Sequence, residues 1–275
     1  MPIASFIKKT IDFFLKPFGL VIIRKQKNNV QSKHHTAKKR HSLPGAIQQA
    51  QEMGFKPGTV IDVGVASGTV ALYDTFPDSK HFLIEPLREF EQKLTELKTK
   101  YQDLDYIIAC ASKKEENITI NVHPDLDGSS IYLEDEPFSD VNGIPRQIKA
   151  ITLNNIVKEK KLPGPYLVKI DVQGAELDVL KGAEKIFNET EYIILEVVLF
   201  NFFKGGPRID EIIAYMKHNG FVVYDIVDPL TRPLDGACSQ VDIAFVKENG
   251  LFRKHHYYAT KEQREKQTAI MKSKL

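Results

Sequence analysis

The run LVKIDVQGAELDVLKG, residues 167–182, reads as a buried strand, a tight turn and a helix. Leu167, Val168, Ile170 and Val172 give the strand its aliphatic mass, while Lys169 and Asp171, two residues apart, project from one common face. Gly174 lets the backbone turn. Glu176 and Asp178 then fall in the first helical turn, where the helix dipole favours anions, and Gly182 suits a C-terminal stop. Two opposite charges at the end of a buried strand either form a structural ion pair or mark a site, because open α/β sheets bind ligands at strand carboxyl ends.

Upstream, TVIDVGVASG at 59–68 repeats the logic. Val60, Ile61 and Val63 form a strand with Asp62 near its end, and Gly64 and Gly68 bracket a turn into a helix carrying Ala71, Leu72 and Phe76. Small residues there let a ligand approach the backbone, and free helix N–H groups favour anionic or polar ligands. The spacing is G-x-x-x-G preceded by an acid, not the G-x-G-x-x-G diphosphate fingerprint. The next strand, HFLIEP at 81–86, ends in Glu85, placed to accept hydrogen bonds from ribose hydroxyls. A helix over 87–100 leads to YIIACA at 106–111, a third strand whose small tip suits a flat ring.

Outward from these strands, residues 118–123 alternate as an added antiparallel strand, and residues 125–140 form a polar loop that either closes over a substrate or is merely solvated. A short helix at 151–159 precedes the central run. Residues 192–198 give another buried strand ending near Glu196, 209–219 an amphipathic helix, and 221–227 and 241–246 two further strands joined by a loop at 228–240. The Phe-rich LFNFF at 199–203 suits either an acceptor cleft or helix packing.

The 275 residues, 42% hydrophobic and 27% charged, suffice for one sizeable core. Residues 1–51 hold ten Lys or Arg against Asp12, a charge of +9, so the overall +2 leaves −7 on the remainder. Ile3, Ile7, Ile11, Phe14 and Phe18 define an amphipathic helix with a basic polar face, followed by a basic connector over 24–41. No stretch there is long enough to span a membrane; the helix either lies on an anionic membrane surface or packs on its own domain. Aromatic residues are not interleaved with the basic ones in the connector, so no nucleic-acid partner is expected. Cys110 and Cys238 suggest neither a disulfide framework nor a metal knuckle, and the histidines lack ligand spacing, so a reducing, cytoplasmic setting is expected and no metal site is assigned. Residues 1–41 read as an extension, 42–250 as the domain and 251–275 as a basic tail.

IDVGVASG, the acid-tipped FLIEP, GSSIY and above all VKIDVQGAELDVLKGA followed by ILE resemble the FkbM-type methyltransferases, a branch of the S-adenosylmethionine-dependent Rossmann-like enzymes. The resemblance covers residues 58–247, and the LKPFGL helix with its basic run is similar to extensions of bacterial relatives. It implies a seven-stranded class I methyltransferase sheet, last strand antiparallel, with helices on both faces. Asp62, Gly64, Ala66, Ser67 and Gly68 would hold the methionine end of S-adenosylmethionine, Glu85 the ribose, and Ala111 with Ser112 the adenine. Asp171 would lie beside the methyl group as base or orienting group, positioned by Lys169 and Glu176, with Glu196 a weaker candidate. A divalent cation shared by Asp171 and Glu176 is a lesser alternative. Ser67 stands where relatives commonly have Asn, and Asn154 where they often have Asp. The implied activity is O-methylation of a sugar, glycan or natural product, in the cytoplasm or at the inner face of a membrane through residues 3–41.

Two other readings compete. A nicotinamide-dependent oxidoreductase would also use Asp62, the glycine loop and Glu85, but the third fingerprint glycine and a Tyr-x-x-x-Lys pair are missing. A non-catalytic membrane or glycan scaffold predicts a degraded loop and unpaired site charges, whereas both features are intact. Methylation of nucleic-acid amines would call for a polar-Pro-Pro-aromatic tetrapeptide where Asp171-Val172-Gln173-Gly174 stands.

Overall fold

A computed structural model describes residues 40–136 and 139–274. The amphipathic helix expected over 3–23 and most of the basic connector lie outside these residues.

The elements run α1 (Leu43–Glu52), β1 (Thr59–Val63), α2 (Val70–Thr75), β2 (Lys80–Glu85), α3 (Glu91–Lys100), β3 (Leu104–Ile108), β4 (Cys110–Ala111), β5 (Asn117–Val122), β6 (Ile144–Ile151), α4 (Leu153–Lys160), β7 (Tyr166–Ile170), α5 (Glu176–Lys181), β8 (Thr190–Val198), α6 (Ile209–His218), β9 (Phe221–Thr231), β10 (Cys238–Lys247) and α7 (Lys261–Lys272). Seven strands form one sheet in the order β3-β2-β1-β7-β8-β10-β9. β1, β2, β3, β7 and β8 pair in parallel, and β10 runs antiparallel to both β8 and β9, as the resemblance implied.

All five residues of β1 and of β7 are buried, which their continuous aliphatic runs require of strands covered on both faces. Alternate side chains feed two cores. Val60, Leu83, Leu167 and Ile194 pack with Ile47, Leu72 and Leu94 of α1, α2 and α3 on one face. Ile61, Ile84, Val168 and Ile170 pack with Ile156, Val179 and Met216 of α4, α5 and α6 on the other. Each such side chain contributes roughly 1.5–3 kcal/mol on full burial.

Strand order reverses between β1 and β7, and there the crevice opens beyond the carboxyl ends. Val63 pairs with Ile170, so the loop after β1 and Asp171 start side by side.

Three expectations change. YIIACA is not one strand: it divides at Ala109, whose N–H bonds the Glu85 carbonyl, and Cys110–Ala111 joins a second sheet of order β4-β6-β5. β6 was not foreseen; it pairs antiparallel with β5 and parallel with β4. β9 and β10 extend through most of the expected 228–240 loop, with irregular register near Gln240. Beyond β10, Phe252 is buried among Phe55, Tyr192 and Tyr224, whereas α7 has no buried residue.

Candidate active site

The loop leaving β1 turns at once because Gly64 adopts a φ of +73°, and a Cβ there would overlap the Asp171 carbonyl oxygen. Only glycine permits both the conformation and that approach. The Gly64 N–H bonds the Ile84 carbonyl at 2.9 Å, and the Asp171 N–H bonds the Val63 carbonyl at 3.0 Å, so three strand tips are tied together.

Glu85, 3% exposed, closes the loop from β2. Its Oε2 accepts the Ala66 N–H at 2.8 Å and its Oε1 the Leu87 N–H at 2.8 Å. Burial pushes its carboxyl up to about 7, against the lowering effect of those two N–H groups. Asp62 sits beneath the loop, fully buried. Its Oδ2 accepts the Tyr73 hydroxyl at 2.6 Å, its Oδ1 has no protein partner, and burial raises its pKa despite the nearby Lys169 charge.

At the tip of β7, the buried Lys169 Nζ donates to Asp171 Oδ2 at 2.9 Å. Burial alone would lower the Lys169 pKa, but the Asp171, Asp62 and Asp242 charges raise it overall, so it stays an ammonium. Gln173 Nε2 donates to Asp171 Oδ1 at 3.1 Å and to Glu196 Oε2 at 2.9 Å, and Gln240 Nε2 donates to Glu196 Oε1 at 2.7 Å. Burial, then the adjacent Asp171 charge, pushes Glu196 up to about 9. Glu176 folds back onto its own turn: its Oε1 accepts from Gly174 N–H at 3.0 Å and Val172 N–H at 3.4 Å, and burial pushes it up to about 7.

The polar segment after β5 lies over this turn. Ser130, buried, donates its hydroxyl to the Gln173 carbonyl at 2.6 Å, and Tyr132 donates its own to Asp178 at 3.2 Å. Phe203 is buried against Gly174, where a Cβ would strike its ring, and Lys204 N–H bonds the Leu133 carbonyl at 2.8 Å. In this structure Phe203 is thus a packing residue that joins the two segments.

Together these parts wall a cavity of about 440 Å³. Of the residues singled out in the sequence, Gly64, Ala66, Ser67, Gly68, Glu85, Ala111, Lys169, Asp171 and Glu196 line it; Asp62, Ser112 and Glu176 do not. Asp62 lies under the loop, Glu176 under the β7 turn, and the Ser112 N–H bonds the Ile151 carbonyl. Sequence reading missed Gln173, Ser130 and Gln240. Glutamine next to Gly174 in a tight turn is the one signal that offered Gln173, since most residues avoid left-handed turn positions.

The residues present fit a nucleoside-bearing cofactor. Each Glu85 oxygen accepts a single N–H and so retains acceptor capacity at the cavity wall for paired hydroxyls. Cys110 and Ala111 are small, and Ile84, Phe90 and Leu126 supply apolar surface for a flat base. The glycine loop leaves room for a chain to approach the backbone.

A profile of the methyltransferase FkbM domain matches residues 62–223. Over 50 residues, 18% of this chain and 21% of the relative, the chain is 38% identical to the hexuronic acid methyltransferase AglP of Haloferax volcanii. The match thus spans about a fifth of that relative's length. Among solved structures, the chain is similar to the fibrillarin pre-rRNA processing protein of Methanococcus jannaschii, at 12% identity and a TM-score of 0.42, covering 71% of this chain and 68% of that one. It is also similar to an S-adenosylmethionine-dependent methyltransferase of Clostridium acetobutylicum, at 11% identity and a TM-score of 0.39, covering 74% and 89% respectively.

Proposed function

The chain belongs to the FkbM methyltransferase family, and from that premise we propose that it transfers the methyl group of S-adenosylmethionine to a hydroxyl oxygen of a sugar, glycan or natural product. The observation that carries the oxygen-acceptor reading is Asp171, held by Lys169 at a strand tip on the cavity wall and next to the glycine loop.

The cofactor supplies an electrophilic methyl group on a sulfonium. What remains for the protein is to align an acceptor oxygen with it and to remove a proton. Alignment of this kind supplies roughly 7–11 kcal/mol. Glu85 would hold the ribose hydroxyls, Ala111 the adenine side, and the 64–68 loop with Asp62 beneath it the amino-acid end. Asp171 accepts the acceptor's hydroxyl proton, a role worth about 10²–10⁴-fold in rate. Lys169 fixes the Asp171 carboxylate, and Glu176 holds the turn behind it through Gly174.

A sugar acceptor is supported by the hexuronic acid specificity named for the curated relative. The unit doing this work would be residues 42–250, flanked by the basic segments 1–41 and 251–275. Among the described residues no helix is long and apolar enough to cross a membrane. Residues 3–41 would instead bring a cytoplasmic enzyme to an anionic membrane surface, which co-sedimentation with phosphatidylserine vesicles tests.

Calorimetric titration with S-adenosylmethionine, NAD and NADP tests the function itself. Micromolar binding of the methyl donor alone, lost in an Asp62→Ala, Glu85→Ala double variant, is the expected result. Binding of NAD or NADP in its place would overturn it.

A further inference from the structure

Gln173 is unusual on two counts. It is a non-glycine residue at a φ of +53°, followed by Gly174 at +91°, and its carboxamide donates to two carboxylates, Asp171 just after β7 and Glu196 of β8. A side chain kept in the left-handed region is retained against backbone preference, so what it touches matters. Its main chain is fixed as well: Ser130 donates to its carbonyl, Tyr132 N–H donates to Ser130 Oγ at 3.0 Å, and Phe203 fills the space beside Gly174.

We propose that Gln173 is a positioning residue, whose carboxamide holds Asp171 and Glu196 together at the cavity wall as one proton-sharing pair that receives the acceptor's proton. The inference rests on the methyltransferase reading above for its catalytic meaning, but the pairing is a property of the chain itself. The amide's two hydrogens satisfy one oxygen of each carboxylate, and Lys169 and Gln240 take the other two. The remaining charges around the pair are Asp62 from β1, Asp242 from β10 and Glu176 from the turn, with Asp228 acting on Asp242. Acids outnumber the single Lys169 among these, which favours a proton on Glu196 beside Asp171. Burial raising Glu196 is consistent with where that proton resides. In turnover, the hydroxyl proton moves to Asp171 as the acceptor oxygen takes the methyl group and the electron pair of the broken bond stays on the donor sulfur.

The test follows side-chain carboxyl ¹³C resonances of Asp171 and Glu196 through a pH titration of the full chain, assigned with Asp171→Asn and Glu196→Gln. Two titration steps, each felt by both carbons, are expected in the unsubstituted protein. Gln173→Met keeps the bulk and the backbone cost without the donors, and Gln173→Gly relaxes the backbone and keeps the carbonyl for Ser130. Both variants should lose the shared second step, leaving each carboxyl a single independent transition. Shared steps that persist in the two variants would remove Gln173 from this role, and independent steps in the unsubstituted protein would remove the pair. Failure of Gln173→Gly to fold would also overturn the proposal, because it would make the residue a structural one. Calorimetry with S-adenosylmethionine on the same samples reads the methyltransferase premise separately: donor binding without shared titration, or the reverse, shows which of the two has failed.

Discussion

Glu176, behind the β7 tip, is costly to keep charged, and that cost is measurable. Glu176 is buried and pushed up to about 7 in the folded chain, whereas an unfolded glutamate titrates near ~4.3. Because the folded value is the higher one, the group's contribution to stability is fully present below the unfolded pKa and is lost as the pH rises through the folded one. Glu176→Gln retains an acceptor oxygen for the Gly174 N–H but has no charge to bury. The variant should match the parent near pH 4 and exceed it at pH 8 by up to about 3 kcal/mol, read from urea midpoints at the two pH values. Asp171→Ala should behave oppositely in kind: turnover falls about 10²–10⁴-fold while calorimetric affinity for the methyl donor is retained, because Asp171 serves the acceptor's proton. The positions of Asp171 and Glu85 at strand tips were legible in the sequence because the apolar runs end there, and both line the cavity. Glu176 was read as a site residue from the same run, yet its side chain turns back to cap its own loop. The turn marked Gln173 only as a position; its contacts were not legible, since they depend on a left-handed backbone and on Glu196, a residue of another strand.

Among the elements, the joint between β1 and β7 sets the geometry of the site. Gly64 adopts a positive φ directly against the Asp171 carbonyl, so Gly64→Ala both strains the loop and pushes the two strand tips apart. A loss of about 2–4 kcal/mol is expected in urea unfolding, together with loss of donor binding in the remaining folded protein. The parallel strands were readable one by one, because burial on both faces writes them as continuous aliphatic runs. The small second sheet was not. β6, IPRQIKAI, opens with exposed residues around Pro145 and Arg146, so nothing local distinguishes it from a loop; its strand character comes from pairing with β5 some 28 residues away at Thr119 and Gln147. That pairing supports the segment carrying Ser130, whose own bridge to Asn121 extends the sheet toward the cavity. Ser130→Ala would cut the link to the Gln173 carbonyl at a cost of about 1 kcal/mol. Faster limited proteolysis within residues 124–136, with the global unfolding midpoint lowered by no more than that cost, is the expected signature.

Across the whole molecule, stability comes from the two faces of one sheet, and the chain beyond β10 divides sharply in how much it adds. Phe252 is buried against Phe55, Tyr192 and Tyr224, with ring centroids 5.6, 5.1 and 5.4 Å away, and belongs to the core that α1, α2 and α3 cover. Two polar atoms in the same region, Tyr192 Oη and Arg253 Nε, are buried without protein partners, so the corner is already costly and depends on its aromatic packing. α7 is capped by Thr260 and Gln263 in a reciprocal box, but none of its side chains is buried; the helix holds itself and contributes little to the core. Composition gave the basic character of residues 251–275 but not this division, because one phenylalanine among basic residues carries no periodic signal. Ending the chain after Lys254 should therefore leave the urea midpoint within about 0.5 kcal/mol of the full chain, the range of surface changes. Ending it after Lys247 removes Phe252 and opens a cavity among three aromatic rings, so a loss of about 3–5 kcal/mol is expected, as for deletion of a buried aromatic side chain. Equal effects of the two truncations would mean that the aromatic corner is not part of the folded core. A large effect of the shorter one would mean that α7 contributes to the stability of the fold.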